Sequence, residues 1–149
     1  MPTYAGTPDG DTITGDQAGV APDHIFGLDG DDFLFGVGDA DLLEGGNGLD
    51  MLSGGDGADA LSGGAGNDTL DGGAGVDTAS YAGGAAGVVL SLATTLAQNT
   101  GGGGIDTLTA IEALIGSAFA DILTGSVGNN RIDGGSGRRC GHADRRRGE

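Results

Sequence analysis

Six consecutive units of nine residues, from Gly27 to Ser80, share one pattern of residue types. In register they read GLDGDDFLF, GVGDADLLE, GGNGLDMLS, GGDGADALS, GGAGNDTLD and GGAGVDTAS. The sixth place is always Asp, and the eighth is Leu in every unit except the last, which has Ala79. A fixed period of this kind is typical of proteins in which each repeat packs only against its neighbours. The pattern therefore predicts a stacked solenoid.

Each unit divides into a glycine-rich turn and a short strand. In the unit Gly45–Ser53, glycines at the first, second and fourth places favour a tight turn over the first six residues. The last three residues alternate outward, inward and outward, as residues of a strand do. Because one such strand buries nothing alone, stacking must supply the core. We expect a column of leucines, with the leucine as the one inward residue of each unit.

Composition indicates that the chain needs a cation to fold. Of 149 residues, 35 are Gly and none is Trp, and 22 acidic residues against 6 basic ones give a net charge of −16. Such a chain repels itself and has little apolar surface to bury. The same charge makes nucleic acid a poor partner, and no apolar run approaches the ~18 residues of a membrane span. We therefore expect neither binding to nucleic acid nor a membrane-spanning segment.

The recurring carboxylates predict metal sites in the turns. Asp side chains and glycine carbonyls are hard oxygen ligands, which suit Ca²⁺ better than a transition metal. The two histidines are far apart in sequence and Cys140 is the single cysteine, so no cluster of soft ligands competes. Binding would be coupled to folding, because the oxygen cage does not exist in the open chain. The expected carboxylate ligands are Asp32, Asp41, Asp50, Asp59, Asp68 and Asp77.

The chain divides into four predicted segments. Residues 6–80 form the first repeat block, since Gly6–Thr14 already fits the template. Residues 81–115 form a variant linking segment with a short strand at Val88–Leu92 and a glycine-rich loop at Gln98–Gly104. Residues 116–137 form a second short repeat block, and residues 138–149 form a tail, expected to be disordered, that holds five of the six arginines. Further candidate ligands, by register or proximity, are Asp11, Asp23, Asp29, Asp121 and Asn130.

The consensus of these units, G-G-x-G-x-D-x-U-x with U apolar, resembles the hemolysin-type calcium-binding repeat of RTX proteins. Residues 81–137 are similar to a module of serralysin-type and related alphaproteobacterial RTX proteins, through Asp77–Tyr81, Ile111–Glu112 and Gly116–Asp121. The resemblance implies an all-β fold, a right-handed parallel β-roll with two nonapeptides per coil. Calcium is then expected between successive turns on the same side of the roll.

Two nonapeptides per coil imply that alternate units share a side. Asp32, Asp50 and Asp68 would then line one side, and Asp41, Asp59 and Asp77 the other. The resemblance also implies carbonyl ligands, at Gly46, Gly48, Gly55, Gly57, Gly64 and Gly66. Leu28 and Asp39 stand where glycine is usual, so weaker sites are expected in the first units.

The expected function is calcium binding by a non-enzymatic folding module. The sequence contains neither H-E-x-x-H nor G-x-S-x-G. The resemblance implies a secreted bacterial protein that is exported by type I secretion machinery. We also expect a monomer, and no cleavable N-terminal signal is expected, since residues 1–15 have neither a basic nor an apolar stretch. Two alternatives stay open: the C-terminal fragment of an exported serralysin-type protease or other hydrolase, and a fragment of an adhesin or matrix protein.

Overall fold

A computed structural model describes residues 1–16 and 21–137 of the chain. The predicted tail at 138–149 lies outside these residues. Throughout the described ranges the regular structure is β, with fifteen strands and no helix, as predicted. It follows that these ranges contain no helix long and apolar enough to cross a membrane. The strands are β1 (Thr3–Ala5), β2 (Thr12–Thr14), β3 (His24–Asp29), β4 (Phe33–Gly38), β5 (Leu42–Asn47), β6 (Met51–Gly57), β7 (Ala60–Ala65), β8 (Thr69–Gly75), β9 (Thr78–Ser80), β10 (Val89–Ser91), β11 (Gln98–Asn99), β12 (Ile105–Thr109), β13 (Ala113–Ile115), β14 (Ile122–Thr124) and β15 (Arg131–Asp133).

From β1 to β9, successive strands alternate between two parallel sheets. One sheet has the order β1-β3-β5-β7-β9-β13-β15, and the other has the order β12-β8-β6-β4-β2, with β11 antiparallel at its edge. Leu43 pairs with Leu61 in the first sheet, and Leu52 pairs with Leu70 in the second. Because each partner lies two units along the chain, one coil contains two nonapeptides. The predicted parallel β-roll is therefore confirmed, as a solenoid of about seven coils.

The eighth-place residues form the core between the two sheets. From Ile25 to Leu114 they are at most 3% exposed, so the predicted leucine column is confirmed over this range. Its members are Ile25, Leu43, Leu61, Ala79 and Leu114 from one sheet, and Leu34, Leu52, Leu70 and Leu108 from the other.

The expectation of a single inward residue in each unit is wrong. Asp50, Leu52 and Gly54 are all buried, at the sixth, eighth and following first places of successive units. The strands of the regular units are six or seven residues long instead of three, so the inward alternation of the pleat extends past the leucine. In the regular units, a carboxylate and a glycine of the turn are therefore buried together with the leucine.

The solenoid continues through the linking segment at 81–115. The predicted strand near Val88–Leu92 is present as β10, which pairs in parallel with β14 in a small third sheet. The predicted loop at Gln98–Gly104 begins with the short strand β11. The chain then returns to the main stack, where β12 pairs with β8 and β13 pairs with β9. Coils that are distant in sequence are thus direct neighbours.

Candidate metal centre

The sixth-place aspartates are joined into two ladders by their backbones. The N–H of Asp32 donates to Oδ1 of Asp50 at 3.0 Å, and the N–H of Asp50 donates to Oδ1 of Asp68 at 3.0 Å. On the other side, Asp41 donates to Asp59 at 2.8 Å, and Asp59 donates to Asp77 at 2.9 Å. All six side chains are at most 2% exposed. The structure thus brings the six aspartates together in two sets of alternate units.

The second oxygen of each of these carboxylates has no hydrogen-bond partner among the described residues. A buried, unpaired carboxylate oxygen is costly, and most buried polar atoms in folded proteins have a partner. Here the unpaired atom recurs in every regular unit, so it is a property of the turn itself. The atoms concerned are Oδ2 of Asp32, Asp41, Asp50, Asp59, Asp68 and Asp77.

Glycine at the first place leaves space for this unpaired oxygen. A Cβ atom added to Gly45 would collide with Oδ2 of Asp50 and with the carbonyl oxygen of Gly63, one coil further along. The same pair of oxygens converges at Gly27, Gly36 and Gly54. A carboxylate oxygen and a carbonyl oxygen of the next coil therefore point at one small cradle. Two oxygens with no donor between them are the start of a site for a hard cation.

The second and fourth places direct carbonyl groups along the stack. A Cβ on Gly64 would collide with the carbonyl oxygen of Gly46, and a Cβ on Gly66 would collide with that of Gly48. The carbonyl oxygens of Gly55, Gly57 and Gly66 would likewise collide with a Cβ atom added to a glycine of the next coil. The carbonyl oxygen of Gly64 lies 3.5 Å from a Cβ atom added to Gly103. All six predicted carbonyls thus face the turn of the next coil. Their role as ligands stays a prediction.

The first two regular units keep this turn shape without glycine at the second place. Leu28 and Val37 occupy the second place with φ angles of 88° and 87°, and Asp39 occupies the fourth place with a φ of 71°. L-residues rarely adopt this region, and for a β-branched residue such as Val37 it is a clear outlier. The turns of these units are therefore strained, although their carboxylates have the same unpaired oxygen.

We name as open turns the six that begin at Gly27, Gly36, Gly45, Gly54, Gly63 and Gly72, each of which contains an unpaired carboxylate oxygen. In every one of them the second-place residue has a positive φ, between 87° and 119°. The strand that enters each open turn is six or seven residues long, because it continues past the glycine of the first place.

Three further turns are of a different kind, which we name closed turns. In one of them, Ser117 donates from its N–H to Oδ2 of Asp121 at 3.0 Å and from its hydroxyl to Oδ1 at 2.7 Å. The strand that enters each closed turn is only three residues long. A Ser or Thr at the second place thus supplies the donors that the open turns lack. The pairs are Thr7–Asp11, Ser117–Asp121 and Ser126–Asn130.

The remaining candidates lie in other surroundings. Asp23 is buried, its Oδ2 accepts the N–H of Asp16 at 2.6 Å, and its Oδ1 has no hydrogen-bond partner among the described residues. Asp29 is exposed, and its Oδ1 accepts the side-chain amide of Asn47 at 2.7 Å. Both aspartates stay predicted ligands, as do the sixth-place residues of the closed turns.

Two carboxylates of the ladders were not predicted as site residues. Oδ1 of Asp106 accepts the N–H of Asp68 at 3.0 Å, and Oε2 of Glu112 accepts the N–H of Asp77 at 3.0 Å. Both lie in the linking segment at 81–115, where the period of nine is lost. Each precedes an inward leucine by two residues, just as the sixth place precedes the eighth. This spacing was the signal in the sequence that could have identified them.

At the end of one ladder, two side-chain hydroxyls donate hydrogen bonds to the terminal carboxylate of Asp106. Oδ2 of Asp106 accepts the hydroxyl of Tyr81 at 2.9 Å and that of Thr100 at 3.0 Å. Burial and the charge of Asp106 raise the pKa of Tyr81, so its hydroxyl stays protonated and continues to donate. Asp106 is therefore fully paired, unlike the aspartates of the open turns.

Burial makes the central carboxylates hold protons more tightly. It raises the pKa of Asp50 and Asp59 to about 6 and that of Asp68 to about 7. The neighbouring carboxylates of each ladder raise these pKa values further, while the hydrogen bond from the backbone lowers them. Without a cation these three carboxylates therefore take up protons at a higher pH than an ordinary aspartate, and a bound cation competes with these protons.

The possible metal ligands are of two kinds, carboxylate oxygens of side chains and carbonyl oxygens of the backbone. In the described residues, no three His, Cys, Asp or Glu side chains form a cluster that could hold a metal ion. A cation in an open turn would therefore take only a few carboxylate oxygens and draw the rest of its ligands from backbone carbonyls. Calcium accepts six to eight such oxygens in flexible geometry. The oxygens present fit that ion.

Stacked parallel coils with buried carboxylates in their turns define a β-roll repeat protein. The sequence pattern of the RTX calcium-binding nonapeptide repeat matches the chain four times, at residues 5–43, 17–52, 44–79 and 111–138. These matches cover more than half of the chain, which belongs to this family, so the predicted resemblance is confirmed. Membership implies calcium binding, because the repeat is a structural calcium-binding module. A search of curated proteins finds no match.

Proposed function

We propose that this chain is a non-catalytic module that binds several calcium ions in its open turns and folds as it binds them. The observation that carries the proposal is the unpaired, buried carboxylate oxygen found in each of the six open turns. A cation in the cradle would pair that oxygen and neutralise adjacent like charges along each ladder. Since the cradle exists only between stacked coils, binding stabilises the folded state alone.

Calcium suits these turns better than magnesium. Magnesium demands a small octahedral shell and retains several of its waters, whereas calcium accepts many protein oxygens at longer distances. The carbonyls of Gly46 and Gly48 face the next turn along a repeating backbone path, and they add no charge to the site. Such a cage is wide and rich in carbonyls, so we expect it to select calcium.

The closed turns need no ion in this proposal. Ser117 and its counterparts already donate to the sixth-place side chain, so calcium would have to displace these hydrogen bonds. The open turns all lie in the predicted block at 6–80, while two closed turns lie in the predicted block at 116–137. We therefore assign calcium-dependent folding to the first block and ion-independent folding to the second.

Export from the cell completes the proposal. In a medium with little calcium, a chain of net charge −16 with a thin core would stay unfolded, as passage through type I secretion machinery requires. Extracellular modules bind calcium with Kd values of roughly 10⁻⁴–10⁻³ M, so such a chain folds only once outside. Membership of the RTX repeat family supports this localisation.

Equilibrium dialysis of the full chain against calcium tests the proposal, with magnesium as the control. We expect several calcium ions per chain at millimolar free calcium, and far fewer magnesium ions at the same concentration. A chain that binds no calcium under these conditions would contradict the proposal. Equal binding of both ions would contradict the selectivity that we derive from the carbonyl-rich turns.

A further inference from the structure

The coil that follows Asp77 on its ladder is shortened. Only the six residues Ala110–Ile115 separate the strand residue Thr109 from Gly116, where a regular unit has nine. A Cβ on Gly72 would collide with the carbonyl oxygen of Ala110, just as a Cβ on Gly54 would approach that of Gly72. Ala110 therefore takes the first place of this coil, and most of a normal turn is missing after it.

Glu112 takes the sixth place of the shortened coil. Its Oε2 accepts the N–H of Asp77 at 3.0 Å, as Oδ1 of Asp77 accepts the N–H of Asp59 at 2.9 Å. Glutamate has one methylene group more than aspartate, which lets its carboxylate reach the ladder although the turn is short. The ladder of carboxylates is thereby extended by one residue from outside the period of nine.

The space between these coils has the features of an open turn. Asp77 is fully buried, and its Oδ2 has no partner among the described residues. The position of a Cβ on Gly72 lies 2.7 Å from that oxygen and against the carbonyl oxygen of Ala110. A carboxylate oxygen, a carbonyl oxygen and a second carboxylate are therefore brought together with no side-chain donor between them.

The C-terminal end of the neighbouring ladder and the coil after Glu112 lack this combination. On the neighbouring ladder, Tyr81 and Thr100 donate to the terminal carboxylate of Asp106. One coil after Glu112 stands Asn130, a neutral residue whose Oδ1 accepts the N–H of Ser126 at 2.6 Å. The run of negative charge on this ladder thus ends at Glu112.

We propose that Asp77 and Glu112 together ligate the divalent cation of calcium size in the last open turn, between that turn and the shortened coil. The site rests on the proposed function, since it uses the same ion. It differs from the repeat sites in that one of its carboxylates comes from the segment after the repeats. The ion joins β9 to β13 across the inserted residues, so it ties the linking segment at 81–115 to the first repeat block.

Counting bound calcium in full-length variants tests this site. In Glu112→Gln, a side chain of the same length keeps an oxygen that accepts the N–H of Asp77 but loses the charge. Asp71→Asn is the matched control, because Asp71 is exposed and acts on Asp77 through its charge alone. By equilibrium dialysis at saturating calcium we expect one ion fewer in Glu112→Gln and the wild-type number in Asp71→Asn.

The outcomes separate this proposal from the general one. A wild-type chain that binds no calcium would refute the proposed function, whereas wild-type binding with an unchanged count in Glu112→Gln would refute this site alone. Loss of an ion in Asp71→Asn would also refute it, since charge without ligation would then suffice. If Glu112→Gln does not fold, Glu112→Asp is titrated instead. We expect its last site to weaken on the order of tenfold, and an unchanged titration would refute the proposal.

Discussion

The backbone N–H of Asp50 donates to Oδ1 of Asp68, 18 residues further along the chain, at 3.0 Å. One oxygen of the Asp68 carboxylate thus fixes the register between two coils, and the other oxygen is left buried without a partner. The residue that aligns neighbouring coils is therefore the same residue whose unpaired oxygen a cation would bind. This double role explains how folding and metal binding are coupled in a chain with so small a core.

Asp59→Asn should weaken calcium binding without changing the shape of the turn. The amide keeps an oxygen that accepts the N–H of Asp41, but it removes the charge of the unpaired Oδ2. We expect the calcium concentration at half-saturation to rise by on the order of tenfold or more. Asp56→Asn, at an exposed third place of the same unit, is the control and should titrate like the wild type. Identical titrations of the two variants would refute the assignment of Asp59.

Val37→Gly should stabilise the calcium-loaded protein. Val37 has a φ of 87°, a conformation that costs a non-glycine residue on the order of 1–3 kcal/mol. Since its side chain is 41% exposed, little buried surface is lost with it. Glycine at an ordinary position costs roughly 0.5–1 kcal/mol, so we expect a net gain of about 1 kcal/mol in the free energy of unfolding.

Val76→Gly is the matched control for that substitution. Val76 is 64% exposed and has no positive φ, so the same change should destabilise the protein by roughly 0.5–1 kcal/mol. Denaturant unfolding at saturating calcium measures both variants. A Val37→Gly protein that is destabilised as much as Val76→Gly would show that the turn is not strained.

The pH should act in opposite directions with and without calcium. The folded-state pKa values of Asp50 and Asp59 are raised to about 6 and that of Asp68 to about 7, above the ordinary value of roughly 3.9 for an unfolded chain. Between these values the folded state binds more protons than the unfolded state, so the metal-free chain should become more ordered as the pH falls from about 7.5 to about 5.

Calcium binding should instead strengthen as the pH rises through the same range, because fewer protons then compete for the carboxylates. Circular dichroism in chelator at the two pH values tests the first statement, and calcium titrations at the same values test the second. A half-saturation concentration that does not depend on pH would contradict the raised pKa values of Asp50, Asp59 and Asp68.

Tyr81→Phe should destabilise the end of one ladder. The substitution removes the hydrogen bond of 2.9 Å to Oδ2 of Asp106 and leaves that buried oxygen with Thr100 alone. We expect a loss of about 1–3 kcal/mol in the free energy of unfolding at saturating calcium. Tyr4→Phe, which alters the other tyrosine at the opposite end of the solenoid, is the control and should have a smaller effect. Equal losses would contradict the role of Tyr81.

The sequence was sufficient for the regular part of the fold. The spacing of Asp50 and Leu52 within a unit predicted a turn followed by an inward leucine, and the resemblance supplied two units per coil. The burial of Gly54 was missed because the strands run past the end of the unit, which the period alone does not show. Asp106 and Glu112 were missed because the inserted residues separate them in sequence from the coils on which they stack.

The distinction between open and closed turns could not be predicted from the sequence either. Asp121 follows the same nine-residue template as Asp59, and the template alone gave both as candidate ligands. In the structure their surroundings differ, since the hydroxyl of Ser117 donates to Oδ1 of Asp121, whereas Oδ2 of Asp59 has no partner among the described residues. The proposal that only the open turns bind an ion thus rests on hydrogen bonds that the sequence does not show.

Far-ultraviolet circular dichroism of the full chain during a calcium titration, with magnesium in parallel, tests the central claim most directly. The account predicts a largely disordered chain in chelator, cooperative gain of β structure at submillimolar to millimolar calcium, roughly the range of extracellular calcium modules, and little response to magnesium. A chain already ordered in chelator at neutral pH, or ordered equally by magnesium, would contradict it.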